Sequence, residues 1–299
     1  MICLAWLSPP VAAQVLGIAV VLLGARAADL YGLVRIALKL SSIRKLGLLK
    51  ALAFAAFLRK EFMPAFPTAK DALDEAVMSR TSYSFVDPPT TKGVLFLPGG
   101  LVDPVAYAPM LRRLHHVSGA TVACVKHDFR HPLLTPTSRL RAIMRRHPGI
   151  KTWVVAGHSI GGGSFGAAGH VGRLLQDGEP VAGLLMIASS ITGSEVDLSQ
   201  CEGLECLAIL GSEDTIVPPD GPHFEDGSNV REMLAARTPR RTRCITIDGA
   251  NHAGFAHFGP QRFPRPDGKA RITHLEQQLQ TVRHVATFVR ELPEAPRPA

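Results

Sequence analysis

The stretch that most constrains the fold of this 299-residue chain runs from Trp153 to Gly163 and reads Trp-Val-Val-Ala-Gly-His-Ser-Ile-Gly-Gly-Gly. An apolar run meets Gly157, Ser159 sits between glycines in the pattern G-x-S-x-G, and a helical stretch follows from Ser164. A short apolar run without polar alternation fits a strand buried on both faces, as in a parallel sheet. Passing directly from such a strand into a helix requires a tight, strained bend, and small neighbours let backbone approach backbone there. A serine on that bend projects its hydroxyl above the carboxyl edge of the sheet, and the Ile160 amide points toward the start of the helix.

The rest of the body repeats the same alternation, which marks a parallel α/β sheet. Strands are predicted at residues 83–86, 94–97, 121–125, 153–156, 183–188, 206–210 and 244–247. Helices are predicted at residues 106–116, 138–146, 164–176 and 230–236, with a long final one at 273–291. The expected organisation is an amino-terminal hydrophobic and basic helical segment at residues 1–68, one α/β domain at 69–292 and a proline-rich frayed tail at 293–299.

A serine hydroxyl is a poor nucleophile until a base takes its proton, and the base needs an anionic partner to hold its tautomer. On a sheet of this kind the partners follow in the order serine, acid, histidine, each after a later strand. Asp214, directly past the apolar run ending at Leu210, is the acid, preferred on loop position over Glu213 and Asp220. His252, just past the run ending at Ile247 and flanked by small residues, is the base, with His257 as the runner-up. A lone loop histidine or aspartate is more often a surface residue, and Ser159 alone would serve as a helix cap; the joint order across three strand ends outweighs that reading. A second oxyanion donor has to come from the loop after an early strand. Pro98-Gly99-Gly100-Leu101-Val102 supplies it, with the Leu101 amide first and Gly100 or Val102 as alternatives.

Four motifs carry a resemblance to the α/β-hydrolase superfamily, in particular its compact carboxylesterase and dienelactone-hydrolase-like members. They are Leu97 to Pro104 with Tyr107 after it, Ala156 to Gly162, Gly211 to Pro219, and Gly249 to Gln261. The last resembles a histidine loop followed by an acidic, glycine-containing stretch and a Glu-Gln-Gln helix, as at Asp267-Gly268 and Glu276-Gln277-Gln278. The resemblance spans roughly residues 92–290; the insert at 262–265 and residues 1–60 have no counterpart in it. It implies an α/β-hydrolase fold without a large lid domain, since only 17 residues separate the run ending at Ala188 from Cys206 by the predicted boundaries. It also implies Ser159, Asp214 and His252 as a triad, Ile160 and Leu101 as the oxyanion hole, and Gly100, Tyr107 and His158 as substrate-binding residues. The expected activity is that of a serine hydrolase acting on carboxylic esters or related acyl bonds, with acyl chains of modest to long length preferred, without a cofactor or metal; the alternative is a membrane-associated, non-catalytic scaffold on the same fold.

Charge decides what else the chain can engage. The formal balance is +8, yet residues 1–60 hold eight basic side chains against Asp29 alone. The remaining residues are close to neutral, which argues against a basic, nucleic-acid-binding body. The apolar run at 11–24 is shorter than the roughly 20 residues a spanning helix needs. The basic, leucine-rich stretch at 30–62 suits an anionic membrane surface, with the body on the cytosolic or equivalent side, or else a cleaved organellar targeting segment. Five cysteines without paired spacing imply neither a disulfide framework nor a structural zinc site. Gly161-x-Gly163-x-x-Gly166 satisfies the dinucleotide fingerprint, but no carboxylate closes the next strand, and no phosphate-binding P-loop pattern occurs.

Overall fold

The computed structural model describes residues 62–293, apart from 88, 193–194, 222–226 and 262–264. Eight strands form one sheet: β1 Val77–Met78, β2 Ser82–Phe85, β3 Lys92–Leu97, β4 Thr121–Val125, β5 Thr152–His158, β6 Val181–Ile187, β7 Glu205–Gly211 and β8 Arg243–Ile247. Their spatial order is β1-β2-β4-β3-β5-β6-β7-β8. The pairs β1–β2 and β2–β4 are antiparallel, and the others are parallel. Five helices flank it: α1 Ala108–Ser118, α2 Thr137–Met144, α3 Ala167–Gln176, α4 Val230–Arg237 and α5 His274–Glu291. This is the α/β-hydrolase architecture expected from the sequence.

The period of two along each strand divides the core. Val94, Phe96, Val154 and Ala156 face a layer that includes Leu111 of α1 and Val285 and Phe288 of α5. Leu95, Leu97, Trp153 and Val155 face the other layer, with Leu140 of α2, Leu174 of α3 and Leu234 of α4. With both faces covered, β4, β5 and β6 are buried along their whole length, which is why they read as continuous apolar runs. The terminal helices are set by local chemistry. Asn229 with Glu232, and Thr273 with Glu276, form reciprocal capping boxes that start α4 and α5.

The differences from the predicted elements have local causes. β1 escapes a pattern search because it is two residues long and both are exposed. Asp103 accepts from the Val105 amide and opens a 3-10 turn, so α1 begins two residues later than predicted. α3 starts at Ala167 instead of Ser164 because the chain leaving the Ser159 bend first makes further turns, with the Gly166 amide donating to the Gly163 carbonyl at 2.9 Å. Met63 pairs with Val102 and Ala65 with Phe258, so this short strap is stitched to two loops of the body.

Strand order positions the site. The connection from β3 leads through α1 outward to β4, whereas that from β5 leads through α3 in the opposite direction to β6. The loops leaving β3 and β5 therefore diverge, and a crevice opens between them at the carboxyl edge. Among the described residues no helix is long and apolar enough to cross a membrane. Residues 1–60, which carry the expectation of membrane or targeting behaviour, lie outside the described residues.

Candidate active site

β5 runs through Gly157 and His158 before the bend, two residues further than predicted, and Ser159 takes the left-handed conformation with φ of 55°. A non-glycine residue there stores strain that its surroundings have to enforce. A Cβ at Gly157 would overlap the Gly161 carbonyl, and one at Gly161 would overlap the Pro98 carbonyl, so only glycine lets the bend close against the β3 loop. The Ser189 hydroxyl donates to the Ser159 carbonyl at 2.6 Å and braces the bend from β6. Ser159 and Ile160 are each partly exposed at its apex.

The turn after β7 delivers Asp214 and the turn after β8 delivers His252, which are 2% and 0% exposed. His252 Nδ1 donates to Asp214 Oδ2 at 2.8 Å. The other carboxylate oxygen accepts from the Ile216 and Val217 amides at 2.8 and 2.7 Å, which fixes the acid and offsets part of its desolvation. With Nδ1 carrying the proton, Nε2 presents a lone pair, and that buried atom has no hydrogen-bond partner among the described residues. The rivals are engaged elsewhere. Glu213 pairs with Arg271, Asp220 pairs with Arg231, and His257 Nδ1 faces the Gln278 side chain at 3.1 Å.

The loop after β3, where the oxyanion donor was expected, corrects one expectation. Leu101 has φ of 64°, and this turn directs its amide to the Arg130 carbonyl at 2.7 Å, so the preferred donor is already spent. Val102 donates to Gly99 at 3.4 Å, and Gly99 donates to the Tyr107 hydroxyl at 3.0 Å. Among the described residues, the amide left in that loop is that of Gly100. A Cβ on Gly100 would stand 2.9 Å from Ile160 Cγ2, so its backbone lies directly against the residue after the serine. The Ile160 amide belongs to the first turn of the 3-10 segment Ser159–Gly161, where amides have no intrahelical acceptor.

Tyr107 and His158 also depart from expectation. Both are buried, at 0% and 1% exposure, and every polar atom of their side chains is committed within the protein, so neither lines a substrate surface. His158 Nε2 lies 3.1 Å from the His252 carbonyl, which can only accept, so Nε2 carries the proton and Nδ1 accepts from the Tyr107 hydroxyl at 2.8 Å. The result is a directed chain from the Gly99 amide through Tyr107 and His158 to the His252 backbone. Burial and the adjacent His252 hold His158 well below the ordinary histidine range, which keeps it neutral at pH 7. The rings of His158 and His252 lie 4.7 Å apart, so His252 packs against the bend that carries Ser159.

The histidine loop has a second set of supports that residue-type reasoning assigned no role. Asp267 Oδ2 accepts from the Ala253 amide at 2.8 Å, and burial raises its carboxyl pKa. Gln277, wholly buried on α5, donates to the Asn251 carbonyl at 2.7 Å and accepts from the Asn251 amide at 3.2 Å. The Asn251 side chain in turn donates to the Gly268 carbonyl at 2.7 Å. The signal was present in the Asp267-Gly268 and Glu276-Gln277-Gln278 motifs, whose contacts with the histidine loop only the fold reveals.

Comparisons with known proteins agree with this architecture. A model of the "Alpha/beta hydrolase family" matches residues 93–279. No curated protein matches in sequence. Among solved structures, an esterase from Pyrobaculum calidifontis is 15% identical with a TM-score of 0.52, over 80% of this chain and 92% of its own. Carboxyl esterase 2 from Tuber melanosporum is 12% identical with a TM-score of 0.53, over 78% and 91%. EstE1, a thermophilic carboxylesterase cloned from a metagenomic library, is 14% identical with a TM-score of 0.53, over 76% and 93%. At such identities the structural likeness speaks for the fold, and the family model, covering more than half of the chain, establishes that it belongs to the alpha/beta hydrolase family.

Proposed function

We propose that the chain is a serine hydrolase that cleaves carboxylic esters through an acyl-enzyme on Ser159. The observation that carries this reading is the buried Asp214–His252 pair, whose Nε2 is unpartnered among the described residues and whose ring packs 4.7 Å from that of His158, the residue before the strained Ser159. In the proposed reaction His252 Nε2 takes the proton of the Ser159 hydroxyl as its oxygen adds to the ester carbonyl carbon. Asp214 keeps the proton on Nδ1 and stabilises the imidazolium that forms. The carbonyl oxygen becomes an oxyanion held by the Ile160 and Gly100 amides. The tetrahedral intermediate collapses, the alkoxide leaves with the proton from His252, and the acyl group stays on Ser159. Water, deprotonated by His252, adds to that acyl carbon, and collapse returns the proton to Ser159 and releases the acid.

The test is covalent labelling of the full chain by a fluorophosphonate, together with turnover of aryl esters of increasing acyl length. Labelling and turnover in the wild type are expected, with neither in Ser159→Ala and turnover lowered by about 10³-fold or more in a folded His252→Ala. A folded wild-type chain that takes no label and cleaves no ester would overturn the proposal in favour of a binding or scaffold role.

A further inference from the structure

At the edge of the sheet opposite Ser159, three segments bring imidazoles and carboxylates together. The last turn of α1 holds His115 and His116, the loop after β2 holds Asp87, and the chain just before β1 holds Glu75. His115 Nε2 lies 2.9 Å from Asp87 Oδ2, and His116 Nε2 lies 2.8 Å from Glu75 Oε2. Ligand-capable atoms of Asp87, His115 and His116 all lie within 4.8 Å of one another.

The orientation of His115 gives the cluster its meaning. Its ring is buried, stacked on Phe85 with centroids 6.2 Å apart, and its Nδ1 lies 2.7 Å from the Ala120 carbonyl. A carbonyl only accepts, so Nδ1 carries a hydrogen, and the ring is held with Nε2 facing the Asp87 carboxylate. An imidazole aligned through one nitrogen by a backbone carbonyl, its other nitrogen presented beside a carboxylate, is the usual arrangement around a bound metal.

We infer that Asp87, His115 and His116 form a binding site for a divalent transition ion of the zinc type. Two imidazoles and a carboxylate suit such an ion better than calcium or magnesium, which favour all-oxygen shells. Glu75 also meets Arg112, at 3.4 Å through Oε1, which leaves Oε2 on the His116 side. The site is independent of the catalytic proposal, because Ala120 precedes β4 at the amino edge of the parallel strands whereas Ser159, Asp214 and His252 follow carboxyl ends. An ion there would clip the β2–β3 loop to the end of α1.

The test is zinc titration of the chelator-stripped, untagged full chain by calorimetry, repeated on Asp87→Asn and His116→Gln, with Ser159→Ala as a control for binding at the other site. These two positions are exposed or half-exposed, so the variants keep the packing of His115. One equivalent is expected in the wild type and in Ser159→Ala, weakened by about tenfold or more in Asp87→Asn and in His116→Gln. Added zinc is also expected to raise the Tm of the wild type more than that of either variant. Equal affinity in the wild type and both variants, or no bound equivalent in the wild type, would overturn the inference.

Discussion

Tyr107→Phe tests how the proposed catalytic loops are held together. The exchange keeps the ring that packs on Phe96 at 5.0 Å between centroids and opens no cavity, since only the hydroxyl is lost. That hydroxyl accepts from the Gly99 amide and donates to His158 Nδ1, and both partners are in the buried interior. Each buried group left without a partner costs roughly 1–3 kcal/mol, so the pair amounts to about 4 kcal/mol. For a domain of this size that corresponds to a Tm lower by roughly 8–16 °C. The catalytic consequence follows from the same chain of bonds. Gly99 precedes the proposed oxyanion donor Gly100, and His158 holds the carbonyl of the proposed base His252, so the variant loosens both together. The expected kinetic effect is a fall in kcat of about ten- to a hundredfold with KM little changed, because these contacts matter most when charge develops. His158→Gln, which can donate to the His252 carbonyl, is expected to retain more activity than His158→Leu. The assays are thermal unfolding and aryl-ester kinetics. Tyr107→Phe with unchanged Tm and kcat would refute the argument, because two unsatisfied buried groups cannot be silent.

Two further outcomes are expected. Burial lowers His127 to about 3 and His170 to about 4, and lowers His158 as well. The unfolded chain takes up these protons near pH 6.5 while the folded chain does not, so stability is full above that pH and falls as the medium is acidified toward the folded values. At pH 5 His127 and His170 together cost about 4 kcal/mol, and His158 acts in the same direction; a Tm that stays flat from pH 7 to pH 5 would contradict this. Asp267→Asn removes one acceptor from the pair of amides at Ala253 and Gly268, so kcat is expected to fall about tenfold with KM unchanged, as steady-state ester kinetics would show. Wild-type kcat in that variant would deny Asp267 a part in positioning the histidine loop.

The elements most legible in the sequence were those whose environment is uniform. The strands around Val94, Val122, Val154 and Leu184 are covered on both faces, so their apolar runs needed no knowledge of partners. The exposed two-residue β1 carries no such pattern. Boundaries slipped where short-range geometry intervened, as in the turns between Ser159 and Ala167 that delay α3. The triad candidates were legible for a related reason: in a parallel sheet each strand end delivers its next residues to one edge, so chain order already carries spatial order.

The sequence by itself determined the sheet, its carboxyl edge and the residue types gathered there, because burial and turn chemistry are written in local composition. What each amide and imidazole does was decided by tertiary structure alone. Leu101 and Gly100 are neighbours in one glycine-containing loop, and only the Arg130 carbonyl, brought in from beyond β4, takes the Leu101 amide and leaves that of Gly100. His158 stands beside the serine in the sequence, yet Tyr107 and the His252 carbonyl turn it into a buried strut. Likewise His115 meets Asp87 only because β2 runs antiparallel to β4 and returns the chain to the end of α1. Hydrogen bonds between residues far apart in the chain depend on angles and distances that no local pattern encodes.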